Sequence, residues 1–159
     1  MARILVVDDE SPSGAGVPEV EDSPLIARYL GATHQVTSAR SVLGALAWLD
    51  RQEFDFVIID VMRRGLIKAL ALCRVVKSDP GTSGTKVMII SGVRDLKPKA
   101  DAAGADAFIV KPFKLDDVEI GIEALSQRSR SSHPVLYGMT VHDAVKAYSM
   151  GMLGWARGV

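Results

Sequence analysis

Short apolar runs alternate along the chain with segments in which apolar residues recur every three or four positions. Several runs, such as ILVV at 4–7, are continuous instead of alternating with polar residues. This is typical of parallel strands that are covered on both faces. The predicted strands are residues 3–8, 34–39, 54–60, 86–91 and 107–111.

The intervening segments predict helices, because their apolar residues fall on one helical face. Ser23 and Pro24 are typical of a helix start, and Gly31 is typical of a helix end. Five strands that alternate with five helices predict an α/β fold with a doubly wound parallel sheet. The predicted helices cover about residues 24–30, 42–49, 66–76, 96–103 and 115–127.

Length, charge and cysteine content narrow the class of protein. The chain has 159 residues, which fits one domain with a short extra segment, and a formal net charge of zero. Neutrality gives no reason to expect nucleic acid or a membrane surface as a partner. The single cysteine, Cys73, excludes an internal disulfide and lies in an apolar helical pattern, so we expect a core residue. The sequence has no apolar run of about 18 residues, the length that a membrane span needs. A single cysteine suits a reducing compartment, so we predict a cytoplasmic protein.

Polar side chains follow the predicted strands where those strands end. Asp8 and Asp9 follow the first strand, Asp60 the third, Ser91 the fourth and Lys111 the fifth. The carboxyl ends of parallel strands meet at the edge where such sheets bind ligands. Carboxylates about 4 Å apart repel by about 4 kcal/mol near a protein surface, and Mg²⁺ would neutralise them. A carboxylate beside the metal can then form an aspartyl-phosphate, with the lysine and hydroxyl stabilising the charge.

This ordered set of motifs resembles the receiver domains of two-component response regulators, of the chemotaxis-regulator type. The resemblance covers about residues 2–127 and implies a flavodoxin-like sheet of order 2-1-3-4-5 with helices on both faces. The matching motifs are VVDDE (6–10), VIIDVM (57–62), IISG (89–92), AAGADAF (102–108) and VKPF (110–113).

The resemblance implies a role for each matching residue at the site. Asp60 would accept a phosphoryl group, which Lys111 and Ser91 would contact. Mg²⁺ is the implied cofactor. Its implied ligands are Asp8, Asp9, Asp60 and the backbone carbonyl of Met62.

The resemblance also implies a switch and its partners. Ser91 and Phe108 would form the switch, with plain core packing as the alternative for Phe108, and Pro112 would follow a cis peptide bond. A sensor histidine kinase or phosphotransfer protein would supply the phosphoryl group, and a downstream target protein would read the changed surface. A homodimer through the fourth and fifth helices or the C-terminal helix is a further option. The chain would have no enzymatic activity beyond its own phosphorylation and dephosphorylation.

Two segments depart from the family pattern. The loop 11–21 is longer than the family usually has, and Arg63 and Arg64 stand where the family typically has a proline. One hypothesis is an electrostatic latch between these arginines and the acidic residues at 19–22. The alternatives are separately solvated charges, or arginines that attract a phosphodonor.

The C-terminal part of the chain predicts a linker at 128–139 and a helical extension at 140–157. Thr140 could be the N-cap of this helix, with Asp143 at its third position. Its apolar face could pack on its own chain, on a second copy or on a separate target. The extension is too short for a DNA-binding output domain, so we expect a stand-alone receiver.

Two other functional classes remain open on the sequence alone. One is a receiver-fold interaction module that works without phosphorylation, which the altered loop after Asp60 favours. The other is a metal-dependent phosphatase with an aspartate nucleophile, although the sequence offers no added general acid. The complete set of site residues favours the phosphoacceptor.

Overall fold

The structure is a computed structural model that describes residues 1–8, 23–61, 65–127 and 140–149. Within these ranges, strands and helices alternate as the sequence predicts. The strands are β1 (Arg3–Asp8), β2 (Gln35–Ala39), β3 (Phe56–Val61), β4 (Lys86–Ser91) and β5 (Ala107–Val110). The helices are α1 (Ser23–Leu30), α2 (Val42–Arg51), α3 (Leu66–Ser78), α4 (Lys97–Ala102), α5 (Leu115–Ser126) and α6 (Val141–Ser149).

The five strands form one parallel sheet in the order β2-β1-β3-β4-β5. This confirms the predicted fold class and strand order. The register pairs Asp8 with Asp60 and Val61 with Ser91. The chemically important strand ends therefore meet at one edge of the sheet.

Alternate side chains of each strand pack on opposite faces of the sheet. Leu5 and Val7 belong to a hydrophobic cluster with residues of α2, α3, α4 and α6, which we call cluster 1. Ile4 and Val6 belong to cluster 2, which includes residues of α1 and α5. Burying each large aliphatic side chain stabilises the fold by about 1.5–3 kcal/mol, so both faces need their helices.

Several predicted helix boundaries differ from the structure by one or two residues. The third helix continues through Ser78 rather than ending at Val76, because the side chain of Lys77 finds buried partners. The fourth helix begins at Lys97, since Arg94–Leu96 form a separate 3-10 turn. Differences of this size are usual at helix ends.

The end of α4 depends on Gly104, as the sequence predicts. Gly104 has a φ of 94°, in the left-handed region that favours glycine. Its N–H donates to the carbonyl of Asp101, and the N–H of Ala105 donates to the carbonyl of Ala100. These bonds satisfy carbonyls that the helix end leaves open and turn the chain into β5.

The C-terminal helix α6 packs on the same chain. It contacts α2 most extensively and also contacts α3. Val141 and Ala144 are buried in cluster 1. The predicted boundaries of the receiver, linker and extension stay a prediction, because residues 128–139 and 150–157 lie outside the described part of the chain.

Cys73 is a core residue, as predicted. Its side chain is fully buried in α3, and its Sγ donates to the carbonyl of Ala103 at 3.4 Å. Burial raises the pKa of the thiol to about 12. The thiolate needed for nucleophilic chemistry is therefore scarce near neutral pH.

In the described ranges, no helix has the length and apolar character that a membrane crossing needs.

Candidate functional site

Asp8 and Asp60 lie side by side at the carboxyl edge of the sheet. They end or nearly end the adjacent strands β1 and β3, and the register pairs them directly. Both are buried, with exposed fractions of 6% and 2%. Two buried carboxylates on neighbouring strands create a strongly anionic position.

Lys111 supplies a positive charge to this position. Its Nζ lies 2.7 Å from Oδ1 of Asp60, and the exposed fractions of the two side chains are 17% and 1%. The backbone N–H of Lys111 donates to the carbonyl of Ser91 at 2.9 Å, which fixes the lysine relative to β4. The bond between Lys111 and Pro112 is cis, as the resemblance implied.

Ser91 completes the set of described side chains at this edge. It ends β4 between Val61 of β3 and Val110 of β5, and it is fully buried. Its Oγ accepts a hydrogen bond from the N–H of Val93 at 3.1 Å. A hydroxyl that accepts one hydrogen bond still has its own proton to donate, so Ser91 can bind an incoming oxygen.

Phe108 lies on β5, paired with Ile89 of β4. It is partly buried and packs against cluster 1. This position is compatible with both roles predicted from the sequence, the switch and core packing. Its role as a switch therefore stays a prediction.

Several predicted site residues lie outside the described part of the chain. These include Asp9 and Met62, two of the four predicted magnesium ligands, and both segments of the hypothesised latch, at 11–22 and 63–64. Among the described residues, no group of three or more His, Cys, Asp or Glu side chains is arranged to hold a metal. The buried carboxylates of Asp8 and Asp60 nevertheless fit a hard divalent cation, which takes one or two carboxylates with other oxygen ligands.

A groove between α1 and α5 adjoins the site. One concavity of about 400 Å³ is lined by Leu25, Lys111, Pro112, Phe113 and Leu115. A second, of about 600 Å³, shares Leu25 and Leu115 and continues along α1. Leu25 is 52% exposed, so the groove presents apolar surface next to Lys111.

Comparison with known proteins identifies the family. A family model, the response regulator receiver domain, matches residues 4–123. The chain belongs to this family. The transcriptional regulatory protein TcrA of Mycobacterium tuberculosis is 31% identical to this receiver over 133 residues, covering 83% of the chain and 49% of TcrA. The receiver spans about half the length of the curated relatives it matches.

Solved structures share the fold of this receiver. The chemotaxis response regulator CheY4 of Vibrio cholerae aligns with a TM-score of 0.64 and 22% identity, over 79% of this chain and 98% of that one. The receiver domain of the sensor histidine kinase PA1611 of Pseudomonas aeruginosa PAO1 aligns with a TM-score of 0.61 and 17% identity, over the same shares. That structure holds a magnesium ion in its active site cleft. At these identities the likeness establishes the fold alone.

Sequence reasoning missed two polar contacts that hold this receiver together. The side chain of Lys77 is 1% exposed and forms a salt bridge with Asp106. The sequence pattern predicts that α3 ends at Val76, one residue earlier. The sequence around His34 indicates no role for this residue, yet its Nε2 lies 2.8 Å from Oε1 of Glu119 and its Nδ1 accepts a hydrogen bond from the N–H of Ala2. Both contacts join residues far apart in the chain, so no local pattern could have indicated them.

Proposed function

We propose that this receiver accepts a phosphoryl group on Asp60 in a magnesium-dependent reaction and signals through changed protein contacts. The observation that carries the proposal is the position of Asp60. Its buried carboxylate lies beside Asp8 and 2.7 Å from the ammonium of Lys111. A buried carboxylate that contacts a lysine and is paired in register with a second buried aspartate suits phosphoryl transfer, which needs positioning and charge stabilisation more than covalent assistance.

The proposed reaction forms one bond and breaks one. An oxygen of Asp60 attacks the phosphorus atom, and the bond between phosphorus and the donor breaks, so that the donor keeps the electron pair. Lys111 neutralises charge on the phosphoryl oxygens, and the hydroxyl of Ser91 donates a hydrogen bond to one of them. Hydrolysis of the aspartyl-phosphate returns the receiver to its first state.

The proposed magnesium ligands are Asp8, Asp9, Asp60 and the carbonyl of Met62. A bound Mg²⁺ would supply positive charge that lets carboxylates and phosphoryl oxygens share one site. The buried carboxylates of Asp8 and Asp60 support this part of the proposal. The magnesium ion in the distant PA1611 receiver supports it by analogy only.

The proposed phosphoryl donor is a sensor histidine kinase or a phosphotransfer protein. The groove between α1 and α5 supports such a partner, because its apolar lining leads directly to Lys111. The proposed output is a target protein or a second copy that contacts the side of α4, β5 and α5. Val110 and Ile120 support an interface there, as they are 37% and 63% exposed. The stand-alone state stays a prediction, since the chain spans about half the length of its curated relatives.

Mass spectrometry of the intact chain after incubation with acetyl phosphate tests the proposal. We expect one added phosphoryl group with Mg²⁺, little without it, and none in Asp60→Ala. Asp95→Ala is the matched control, because Asp95 is an exposed aspartate in the turn after β4 and should leave the adduct unchanged.

Two outcomes would overturn the proposal. A folded chain that gains no phosphoryl group would favour the phosphorylation-independent interaction module. Turnover of external phosphoesters would instead favour a phosphatase.

A further inference from the structure

Two buried lysines flank the loop between α3 and β4, and they differ in their partners. The Nζ of Lys77, before the loop, donates to the carbonyl of Thr85 and to Oδ2 of Asp106. Lys86, after the loop, is only 8% exposed. Its Nζ has no hydrogen-bond or ion-pair partner among the residues that the structure describes. A buried charge without a partner is costly, so Lys86 indicates a ligand that this part of the chain does not itself supply.

Lys86 lines a concavity of about 710 Å³ at the amino edge of the sheet. The starts of β1, β3 and β4, the loop 80–85 and the end of α5 form its walls. Lys86 begins β4 and lies on the same face of the sheet as Met88, because Val87 between them packs in cluster 1. Its stem therefore packs on the α5 side, where Ile122 and Leu125 line the same concavity. A long side chain with a buried stem carries its charge at the tip, so the ammonium faces the concavity.

The loop 80–85 brings a hydrogen-bond donor to the same concavity. Most of its N–H groups donate to Asp79 or to a carbonyl within the loop, namely those of Gly81, Thr82, Ser83 and Thr85. The N–H of Gly84 has no partner in the described part of the chain, and Gly84 lines the concavity. Because the rest of the loop is held by its own hydrogen bonds, this donor is in place before a ligand binds. A cation and an open N–H together suit an oxyanion.

The acidic side chains that line the concavity already have partners on the β1 side. Oδ2 of Asp55 accepts a hydrogen bond from the backbone N–H of Arg3 at 2.8 Å. Oε2 of Glu53 lies 3.8 Å from the guanidinium of Arg3, and the Glu53 side chain is 85% exposed, so water screens its charge. Both ring nitrogens of His34, which also lines the concavity, have partners. Among the charged side chains of the described lining, Lys86 alone lacks one.

We propose that this concavity binds a small oxyanion, a carboxylate or a phosphate group, with the ammonium of Lys86 as its counter-charge and the N–H of Gly84 as a hydrogen-bond donor. The concavity lies at the opposite edge of the sheet from Asp60. Lys86 and Ser91 are the two ends of β4, which are about 16 Å apart in a strand of six residues. No step of the proposed phosphoryl transfer uses Lys86 or Gly84. This binding site is therefore independent of the proposed function.

Backbone amide chemical shifts of the isotope-labelled full chain test the site. Sodium phosphate and sodium acetate are the two probes, each added at constant ionic strength in place of sodium chloride, without Mg²⁺ or a phosphoryl donor. We expect saturable shifts at the amides of Gly84, Thr85 and Lys86 with at least one probe. Shifts with phosphate alone identify a phosphate site, shifts with acetate alone identify a carboxylate site, and shifts with both identify a general oxyanion site.

Two results of this titration would overturn the proposal. One is the absence of saturable shifts at these three amides with either probe. The other is a set of saturable shifts confined to the opposite edge of the sheet, around Asp60 and Lys111. The Nζ resonances of the same chain add a test that needs no variant, because the Nζ of Lys86 should shift with the effective probe and the Nζ of Lys77 should not. An unmoved Lys86 Nζ would contradict its role as the counter-charge.

A matched pair of variants tests Lys86 directly. In Lys86→Met the methionine fills the space of the buried stem and leaves no charge without a partner, so the fold should be kept, and the amide spectrum verifies it. We expect the Kd of the effective probe to rise at least about tenfold, as the loss of one charge-assisted hydrogen bond predicts. Lys99→Met is the control, because Lys99 is exposed on α4 and should leave the Kd unchanged. Equal Kd values in the two variants would overturn the assignment of Lys86.

Discussion

The Nζ of Lys77 lies 3.0 Å from Oδ2 of Asp106, with side chains that are only 1% and 7% exposed. The same Nζ donates to the carbonyl of Thr85, and the same Oδ2 accepts from the N–H of Val87. The pair thus joins the end of α3 to the starts of β4 and β5. Each charge has good hydrogen-bond partners, which is the condition under which a buried ion pair is tolerated.

Lys77→Met should lower the free energy of unfolding by about 3–5 kcal/mol. The methionine fills similar space, but the carboxylate of Asp106 stays buried without its ammonium partner. Urea unfolding followed by circular dichroism measures the change.

The control is the exposed pair Lys97 and Asp101, whose atoms lie 2.9 Å apart with side chains 61% and 54% exposed. Lys97→Met should lower the free energy of unfolding by less than about 0.5 kcal/mol, because water already solvates both charges. Equal effects of the two substitutions would show that the Lys77 pair does not carry the predicted penalty.

Lys111→Ala should slow phosphorylation of Asp60 by acetyl phosphate by about 10- to 100-fold. Charge-assisted hydrogen bonds contribute about 1.5–3 kcal/mol, and 1.4 kcal/mol corresponds to a factor of ten. Lys114→Ala is the control, because this exposed lysine lies three residues away and contributes its backbone N–H to the cap of α5. Intact-mass spectra over time give the rates of phosphorylation. Equal rates for both variants would show that Lys111 does not contribute to the reaction.

Tyr29 should lose its phenolic proton at a higher pH than an ordinary tyrosine. Its Oη donates to Oδ1 of Asp116 at 2.6 Å, and this hydrogen bond is the largest cause of its raised pKa. Because the folded pKa is raised above 10, this contribution to stability is present below pH 10 and is lost as pH rises through the folded pKa. Tyrosinate absorbance during an alkaline titration, with Tyr29→Phe to assign the signal, measures the shift.

Asp116→Asn should lower the pKa of Tyr29 toward the usual value for tyrosine, since the amide carries no charge. Glu119→Gln should have a smaller effect, because Glu119 is the weakest of the causes. A titration that Asp116→Asn leaves unchanged would contradict the assignment.

The sequence predicts the sheet well because its strands carry continuous apolar runs. ILVV in β1 and VMII in β4 are buried on both faces, and each run ends where a polar site residue begins. The positions of Asp8, Asp60, Ser91 and Lys111 follow from parallel topology, since every carboxyl end meets one edge.

Contacts between distant segments were not predictable from the same patterns. Lys77 bonds to a residue 29 positions away, and His34 contacts a residue 85 positions away. The sequence does not predict the surface on which α6 docks, for a similar reason. An amphipathic helix reveals that it needs an apolar surface, but the surface itself is formed by α2 and α3.

Gly104→Ala should lower the free energy of unfolding by about 1–2 kcal/mol, the cost of placing a side chain in the left-handed region. Gly104 has a φ of 94° and ends α4 immediately before the segment that carries Asp106.

The control is Gly92→Ala. A Cβ added at Gly92 would lie 3.9 Å from Cβ of Lys111, an ordinary van der Waals contact. Gly92 has no positive φ, so its replacement should change stability by less than about 0.5 kcal/mol. Urea unfolding of both variants distinguishes the effect of the positive φ at Gly104 from the general effect of replacing a glycine. If Gly104→Ala were as stable as Gly92→Ala, the end of α4 would not depend on the left-handed conformation.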